Sequence, residues 1–328
     1  MDFKQGIKTL GPGLAGFVFF AALPLIRTSD YQLTIASNII IWALFAMSFN
    51  MLFGMTGMLS FGQALYFGLG GYFVGLLVYY HGAGWFVPAI FLGVLGAGVL
   101  SLIAGPLVLR LTGVYFTMLT LAFAQLGWGI VVKWYNFTNG DDGIQGIIPP
   151  GVLGSKVVYY YFCFFLVSLS LWLLWRISRS PFGLILRCVR QNPDRVRFLG
   201  RRVKRNQLRI YVVSSMFTAL AGGLMAGVDN SVSTGMWYWT TSGEVILMCI
   251  LGGIGQFFGP LVGAVIMILI EDKVGAHTEM WSMVIGIVML VMVLAFPRGV
   301  VGEFARLTAR LAKKSDGMEV KLGTHTRS

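Results

Sequence analysis

Eight stretches of this chain stay apolar for roughly the 20 residues that a helix needs to cross a bilayer. They fall near 10–26, 31–53, 60–80, 85–109, 113–134, 156–176, 210–228 and 280–296. A backbone surrounded by hydrocarbon must satisfy its own hydrogen bonds, so runs of this length become helices. With 56% hydrophobic and 12% charged residues, the chain lies far outside the composition of a soluble domain. It reads as an all-α polytopic membrane protein.

The charges give the helices a direction. Lys4, Lys8, Arg110 and the cations of 177–209 fall on one side, whereas Asp30, Asp141 and Asp142 fall on the other. Arg27 is the exception, close enough to a helix end to snorkel. Positive-inside logic makes the basic side cytoplasmic, with both chain ends there. The short basic start precedes a retained first helix, because no small-residue cleavage site follows it. A net charge of +12 could suggest nucleic acid, but the cations gather in 177–209 and in the tail from Arg298, with no soluble domain to carry a groove. No nucleic-acid partner is expected.

Segment 177–209 is the one long polar stretch between the first apolar run and the last. Ser180 before Pro181 and Asn192 before Pro193 each place an N-cap residue ahead of a proline at the first helical position. Asp194 then suits a helix N-terminus, and Gly200 stands where a C′ glycine ends a helix. Two short helices are predicted. A basic anchor near anionic lipid would explain the charge, though not the caps.

Residues 243–270 are too few for two full crossings and are broken at Gly252, Gly253, Gly255, Gly259 and Pro260. Parity between the basic loop and the basic tail requires them to leave and re-enter on the outer side. The prediction is a re-entrant pair of half-helices, permissible where protein or water shields the exposed backbone; close helix crossing on small residues is the alternative. Asn50, Ser60 and Gln63, near a second glycine-rich stretch, are expected to face the bundle interior, as are Thr117, Thr120 and Gln125. Polar glue between helices is the competing role. Glu244, at the mouth of the broken segment, is the acidic candidate for a solute path. The run from Asn136 to Pro150 reads as an outer loop of turn formers.

Several activities are excluded. Cys163, Cys188 and Cys249 and the histidines His81, His277 and His325 are scattered, so neither a disulfide framework nor a metal site is expected. Gly151 to Lys156 lacks the spacing of a phosphate-binding loop, so the chain does not hydrolyse ATP. No span pairs a nucleophile with a histidine. An ion-coupled carrier should hold charges in mid-membrane, and these spans hold almost none. The remaining reading is a permease whose energy comes from elsewhere.

Several motifs, in order along the chain, resemble the membrane permeases of branched-chain amino acid ABC importers, of the LivM type. They are Ser60-Phe-Gly62-Gln63-Ala64, Gly113 to Phe123, Thr138-Asn-Gly140-Asp141-Asp142-Gly143, Ser180-Pro-Phe-Gly183 through Asn192, and Leu199-Gly200. Ala219 to Leu224, Leu251 to Gly255 with Gly259-Pro260, and Phe296-Pro297-Arg298-Gly299 continue the series. Pro193, Arg195 and the pair Arg201-Arg202 depart from the usual pattern.

The resemblance implies a heteromeric importer, with a second homologous permease subunit, two cytoplasmic ATP-binding subunits and a periplasmic solute-binding protein. ATP would be bound by those partners, and this chain would need no cofactor. Loop 177–209 would be the coupling segment, with Gly183, Arg187, Arg190, Asp194 and Gly200 docking on the ATPase. The translocation path would involve Asn50, Ser60, Gln63, Thr117, Thr120, Gln125, Glu244, Gly252 and Gly253. The expected architecture is about eight transmembrane helices plus a re-entrant half-helix pair, in one permease domain over 1–297 with a basic cytoplasmic tail over 298–328. The expected setting is a bacterial inner membrane and the cargo branched-chain or related amphipathic amino acids; urea, amides or aromatic carboxylates carried by the same machinery are the alternative, ahead of a secondary carrier or channel.

Overall fold

The structure, a computed structural model, describes residues 29–275 and the short pieces 283–284, 286–287, 290–291 and 299–303. The helix expected over 10–26 lies outside these residues, as do all but those pieces of the span at 280–296 and the tail from Arg298. The helices in order are α1 (Asp30–Thr56), α2 (Gln63–His81), α3 (Phe86–Val108), α4 (Val114–Lys133), the single turn α5 (Tyr135–Thr138) and α6 (Lys156–Arg179). Then come α7 (Pro181–Gln191), α8 (Pro193–Phe198), α9 (Val203–Val228), α10 (Trp239–Gly252) and α11 (Gly259–Gly275). Among the described residues, five helices are long and apolar enough to cross a membrane: α1, α3 with the turn before it, α4, α6 and α9. The protein is an all-α polytopic membrane protein. Its β structure among those residues is one antiparallel pair, β1 (Ile144–Gln145) and β2 (Ser231–Val232), with Ile144 opposite Val232.

Two boundaries differ from the sequence reading for local reasons. Gly57 takes a left-handed φ of 77° and closes α1 by donating its N–H to the Phe53 carbonyl at 2.9 Å. The chain then runs outside a helix until Gln63, so the run expected from 60 starts later. Helix α9 starts at Val203 rather than 210, because the cations Lys204, Arg205 and Arg209 remain exposed on its first turns.

Lipid supplies no hydrophobic force between helices, so association depends on close packing. Glycine makes that closeness possible where α2 crosses α9. A Cβ at Gly70 would collide with the Ala219 carbonyl, and one at Gly222 with the Phe67 carbonyl. Helices α10 and α11 form an antiparallel hairpin on the same principle, with Gly252 against Gly259 and Gly263 against Met248. Helices α3 and α9 also run antiparallel, since Gly105 meets Leu208 and Gly98 meets Met216.

These contacts sort the helix ends into two groups. At one end, Asp30 pairs with Lys156 at 3.4 Å, the Tyr31 hydroxyl donates to Asp272, and β1 meets β2. At the other lie the 179–203 segment, the end of α1 and the turn between α10 and α11, where Asn50 Nδ2 donates to the Gln256 carbonyl at 3.3 Å. They are called here the acidic end and the basic end.

Candidate functional site

The 177–209 segment folds as its caps dictate. Ser180 Oγ accepts the Gly183 N–H at 3.3 Å, and Asn192 Oδ1 accepts the N–H groups of Asp194 and Arg195 at 3.1 and 3.0 Å. Gly200, at φ 75°, ends α8 by donating its N–H to Arg197, while Arg201 N–H reaches back to Val196, the two bonds of a Schellman ending. Val189, Val196 and Val203, with Ile185 against them, form a small core of their own beneath the surface. The result is a compact body rather than a slack loop.

Its arginines point in an unexpected direction. Arg187 Nη2 donates to the carbonyl and hydroxyl of Ser178, both at 3.1 Å, and Arg190 Nη1 donates to the Gly54 carbonyl. Both guanidinium groups therefore fasten the body to the helix bundle. Gly183 is buried at the corner between α6 and α7, where a Cβ would collide with the Ser178 carbonyl. Asp194 pairs with Arg197 at 2.9 Å on the surface. Phe198 and Leu199, at the far tip of α8, are 90% and 80% exposed.

Gly54 joins three parts of the molecule. Besides accepting from Arg190, it packs against the turn after α10, its Cβ position being 2.9 Å from the Ile254 carbonyl. Gly57 lies against the Arg190 side chain, and Gly299 presses on Gly252 and Gly253 from the other side. The hairpin turn is thus enclosed by the end of α1, α7 and residue 299. The break expected at the glycine cluster is present, with α10 ending at Gly252 and α11 starting at Gly259.

The polar residues assigned to a solute path divide into two sets. Thr117 Oγ1 donates to the Leu59 carbonyl at 2.9 Å, Thr120 Oγ1 accepts from Phe61 N–H at 3.1 Å, and Ser60 Oγ accepts from Gly62 N–H at 3.2 Å. The first two bonds tie α4 to the segment before α2, and the third closes a turn within that segment. Gln63 and Asn50 differ. Gln63 Oε1 accepts from Thr218, yet its Nε2 is buried without a partner, as is Asn50 Oδ1. Glu244 is partly buried on α10, and Gln125 is partly buried on α4.

Sequence reasoning missed the closure of the acidic end. Trp237, 6% exposed, lies in a slot opened by two glycines, where a Cβ at Gly68 would collide with its ring and one at Gly127 would come within 3.1 Å. Tyr72 meets it edge-on, ring centroids 5.7 Å apart. A tryptophan between two apolar runs reads in sequence as an interfacial anchor, and only the paired glycines on α2 and α4 hint at a slot. Arg190 meeting Gly54 left no local signal at all.

Residues 31–293 match the family described as branched-chain amino acid transport system / permease component. The chain belongs to that family. It is 25% identical over 292 residues to the high-affinity branched-chain amino acid transport system permease protein LivM of Escherichia coli K12, covering 81% of this chain and 68% of that protein. The probable branched-chain amino acid transport permease protein LivM of Methanocaldococcus jannaschii is 23% identical over 344 residues, covering 86% and 98%. The galactose/methyl galactoside import permease protein MglC of Salmonella typhimurium is 26% identical over 189 residues, about half of each chain. No solved structure matches. The protein is accordingly a multi-pass permease subunit of the ABC-importer class. Among the described residues, no group of three His, Cys, Asp or Glu is placed to hold a metal ion.

Proposed function

We propose that this chain is the translocation subunit of an ATP-driven uptake system for branched-chain or related amphipathic amino acids in a bacterial inner membrane. It works with a second homologous permease, two cytoplasmic ATP-binding subunits and a periplasmic solute-binding protein. The observation that carries this reading is the capped two-helix body over 180–200, fastened to the bundle through Arg187 and Arg190, in a chain of this family. Gly183 sets the corner, Asp194 and Gly200 shape α8, and the exposed tip at Phe198 and Leu199 meets the ATPase. The basic end then faces the cytoplasm. Movement of α7 reaches the hairpin turn at Gly252 and Gly253 through Arg190 and Gly54. Asn50, beside that turn, and Gln63, bonded to Thr218, each carry an unpaired buried atom and line the solute path, with Ser60, Thr117, Thr120, Gln125 and Glu244 along it.

Reconstituted uptake of labelled leucine tests this. The expected result is uptake that requires ATP and the binding protein, abolished when Phe198 and Leu199 are both changed to Asp in a subunit that still inserts. Uptake without ATP-binding subunits would overturn the reading. The galactose/methyl galactoside relatives support one second reading, the same machine with a sugar as cargo; ATP-driven uptake of galactose in place of leucine would establish it.

A further inference from the structure

The turn over Thr234–Trp237 carries the most unexplained chemistry in the described residues. Trp237 Nε1 and the Tyr72 hydroxyl are both buried without a hydrogen-bond partner, although the two residues are only 6% and 3% exposed. Buried donors in a membrane protein normally find acceptors, and leaving them unpaired is costly. The two rings touch edge-on, so both donors belong to one small region between α2 and α4. One turn earlier on the same segment, Thr234 Oγ1 donates to Asp141 Oδ1 at 3.4 Å, which holds an exposed carboxylate beside that region. Two neutral donors next to one acid complement a group bearing a carboxylate and an ammonium together.

We propose that Trp237, Tyr72 and Asp141 form a subsite for the zwitterionic head of an α-amino acid at the acidic end of the bundle, closed in this structure by the Trp237 ring itself. The indole occupies the slot between Gly68 and Gly127, so a solute enters only when the ring swings out. On that movement the indole N–H and the Tyr72 hydroxyl gain the solute carboxylate as acceptor, and the ammonium faces Asp141. The two unpaired donors of the closed form favour opening, while the snug fit of the ring between the glycines favours closure. The subsite rests on the amino-acid reading given above.

The test is equilibrium binding of labelled leucine to the purified permease and ATPase complex without the binding protein, alongside leucinamide, which lacks the carboxylate, and N-acetylleucine, which lacks the ammonium. Tyr72→Phe keeps the ring and removes only the donor, whereas Trp237→Phe removes the donor and also shortens the wedge, a change of volume that acts on all three compounds alike. Beyond any loss common to all three, each is expected to weaken leucine and N-acetylleucine about tenfold, the size of one hydrogen bond to a charged group, and leucinamide clearly less, because its neutral amide carbonyl accepts a weaker bond. Asp141→Asn is expected to weaken leucine and leucinamide but not N-acetylleucine. Equal losses for all three compounds would mean a structural role and overturn the subsite, as would no loss, no saturable leucine binding by the wild type, or galactose binding that depends on these three residues. ATP-dependent leucine uptake by the same wild-type complex, reconstituted in vesicles with the binding protein added back, separates the two readings. Uptake with unaltered binding in the variants sinks the subsite alone, and absence of uptake sinks both.

Discussion

The two ends of the bundle are closed by different means. At the acidic end, volume does the work: Trp237 fills a slot that two glycines leave open, and the Tyr72 ring backs it. At the basic end the fastenings are directional, since Arg190 and Arg187 reach main-chain carbonyls and glycines bring the hairpin turn within reach of α1. A wedge can leave its slot and return with little rearrangement elsewhere. Guanidinium bonds to backbone instead make two bodies move as one. On the proposed orientation, with the basic end in the cytoplasm, the difference suits an importer whose outer side must admit solute and whose inner side must follow a motor.

The contrast breaks most completely if the hairpin turn loses its closeness. Gly252→Val places atoms where the Gly259 backbone lies, and overpacking of this kind costs about 3 kcal/mol. Gly243→Ala, in the same helix but facing open space, should cost almost nothing. Thermal unfolding of the purified subunit followed by light scattering checks both: the Gly252 variant should melt well below wild type and the Gly243 variant with it. Equal melting of all three would show that the turn is not closely packed.

Next in size is Arg190→Gln, which removes a charged donor from the Gly54 carbonyl at a cost of about 2 kcal/mol. The expected outcome in the reconstituted importer is continued ATP hydrolysis with leucine uptake per ATP lowered at least about tenfold, because the α7 body no longer carries the hairpin turn with it. Arg190→Lys, a single point charge without the fork, should recover only part. Unchanged coupling in Arg190→Gln would leave the basic end without its distinguishing connection.

Much of this architecture is legible in sequence, and the illegible part has a physical cause. Apolar length marks α1, α3, α4, α6 and α9, and the caps at Ser180, Asn192 and Gly200 specify α7 and α8, because those signals are local. The glycine cluster places the break between α10 and α11 for the same reason. What sequence does not reveal is partnership across the bundle. The apolar 18-residue stretches within α1 and α4 have similar mean hydropathy, 1.8 and 1.5, yet 83% of one stretch and 28% of the other is buried. Hydropathy measures transfer into an apolar phase and cannot distinguish lipid from protein as the surroundings. Thr117 and Thr120 illustrate the consequence: both are polar groups in an apolar run, and their hydrogen bonds go to residues 59 and 61 of a segment whose position only the packed bundle defines.

A smaller effect is expected from the α8 cap. Asn192→Ala removes the acceptor for two backbone N–H groups and should cost about 1 kcal/mol, confined to α8. Hydrogen exchange at Asp194 and Arg195 reads it directly. Both amides should exchange about fivefold faster while α9 is unchanged, and a spread of the effect into α9 would mean that the basic-end body and the bundle are one cooperative unit.

The smallest effect concerns the ion pair on that body. Asp194 and Arg197 lie 2.9 Å apart, but their side chains are 68% and 58% exposed, so water and salt screen the attraction. A double-mutant cycle with Asp194→Asn and Arg197→Gln should give a coupling energy below about 0.5 kcal/mol, falling further in 0.5 M salt. The value matters because the basic end holds many cations and the caps already account for α8. A coupling energy several times larger would mean that charge pairing, rather than caps and backbone-directed arginines, organises this end. The basic end would then respond to ionic strength while the wedge at Trp237 would not, and salt titration of uptake would separate the two closures.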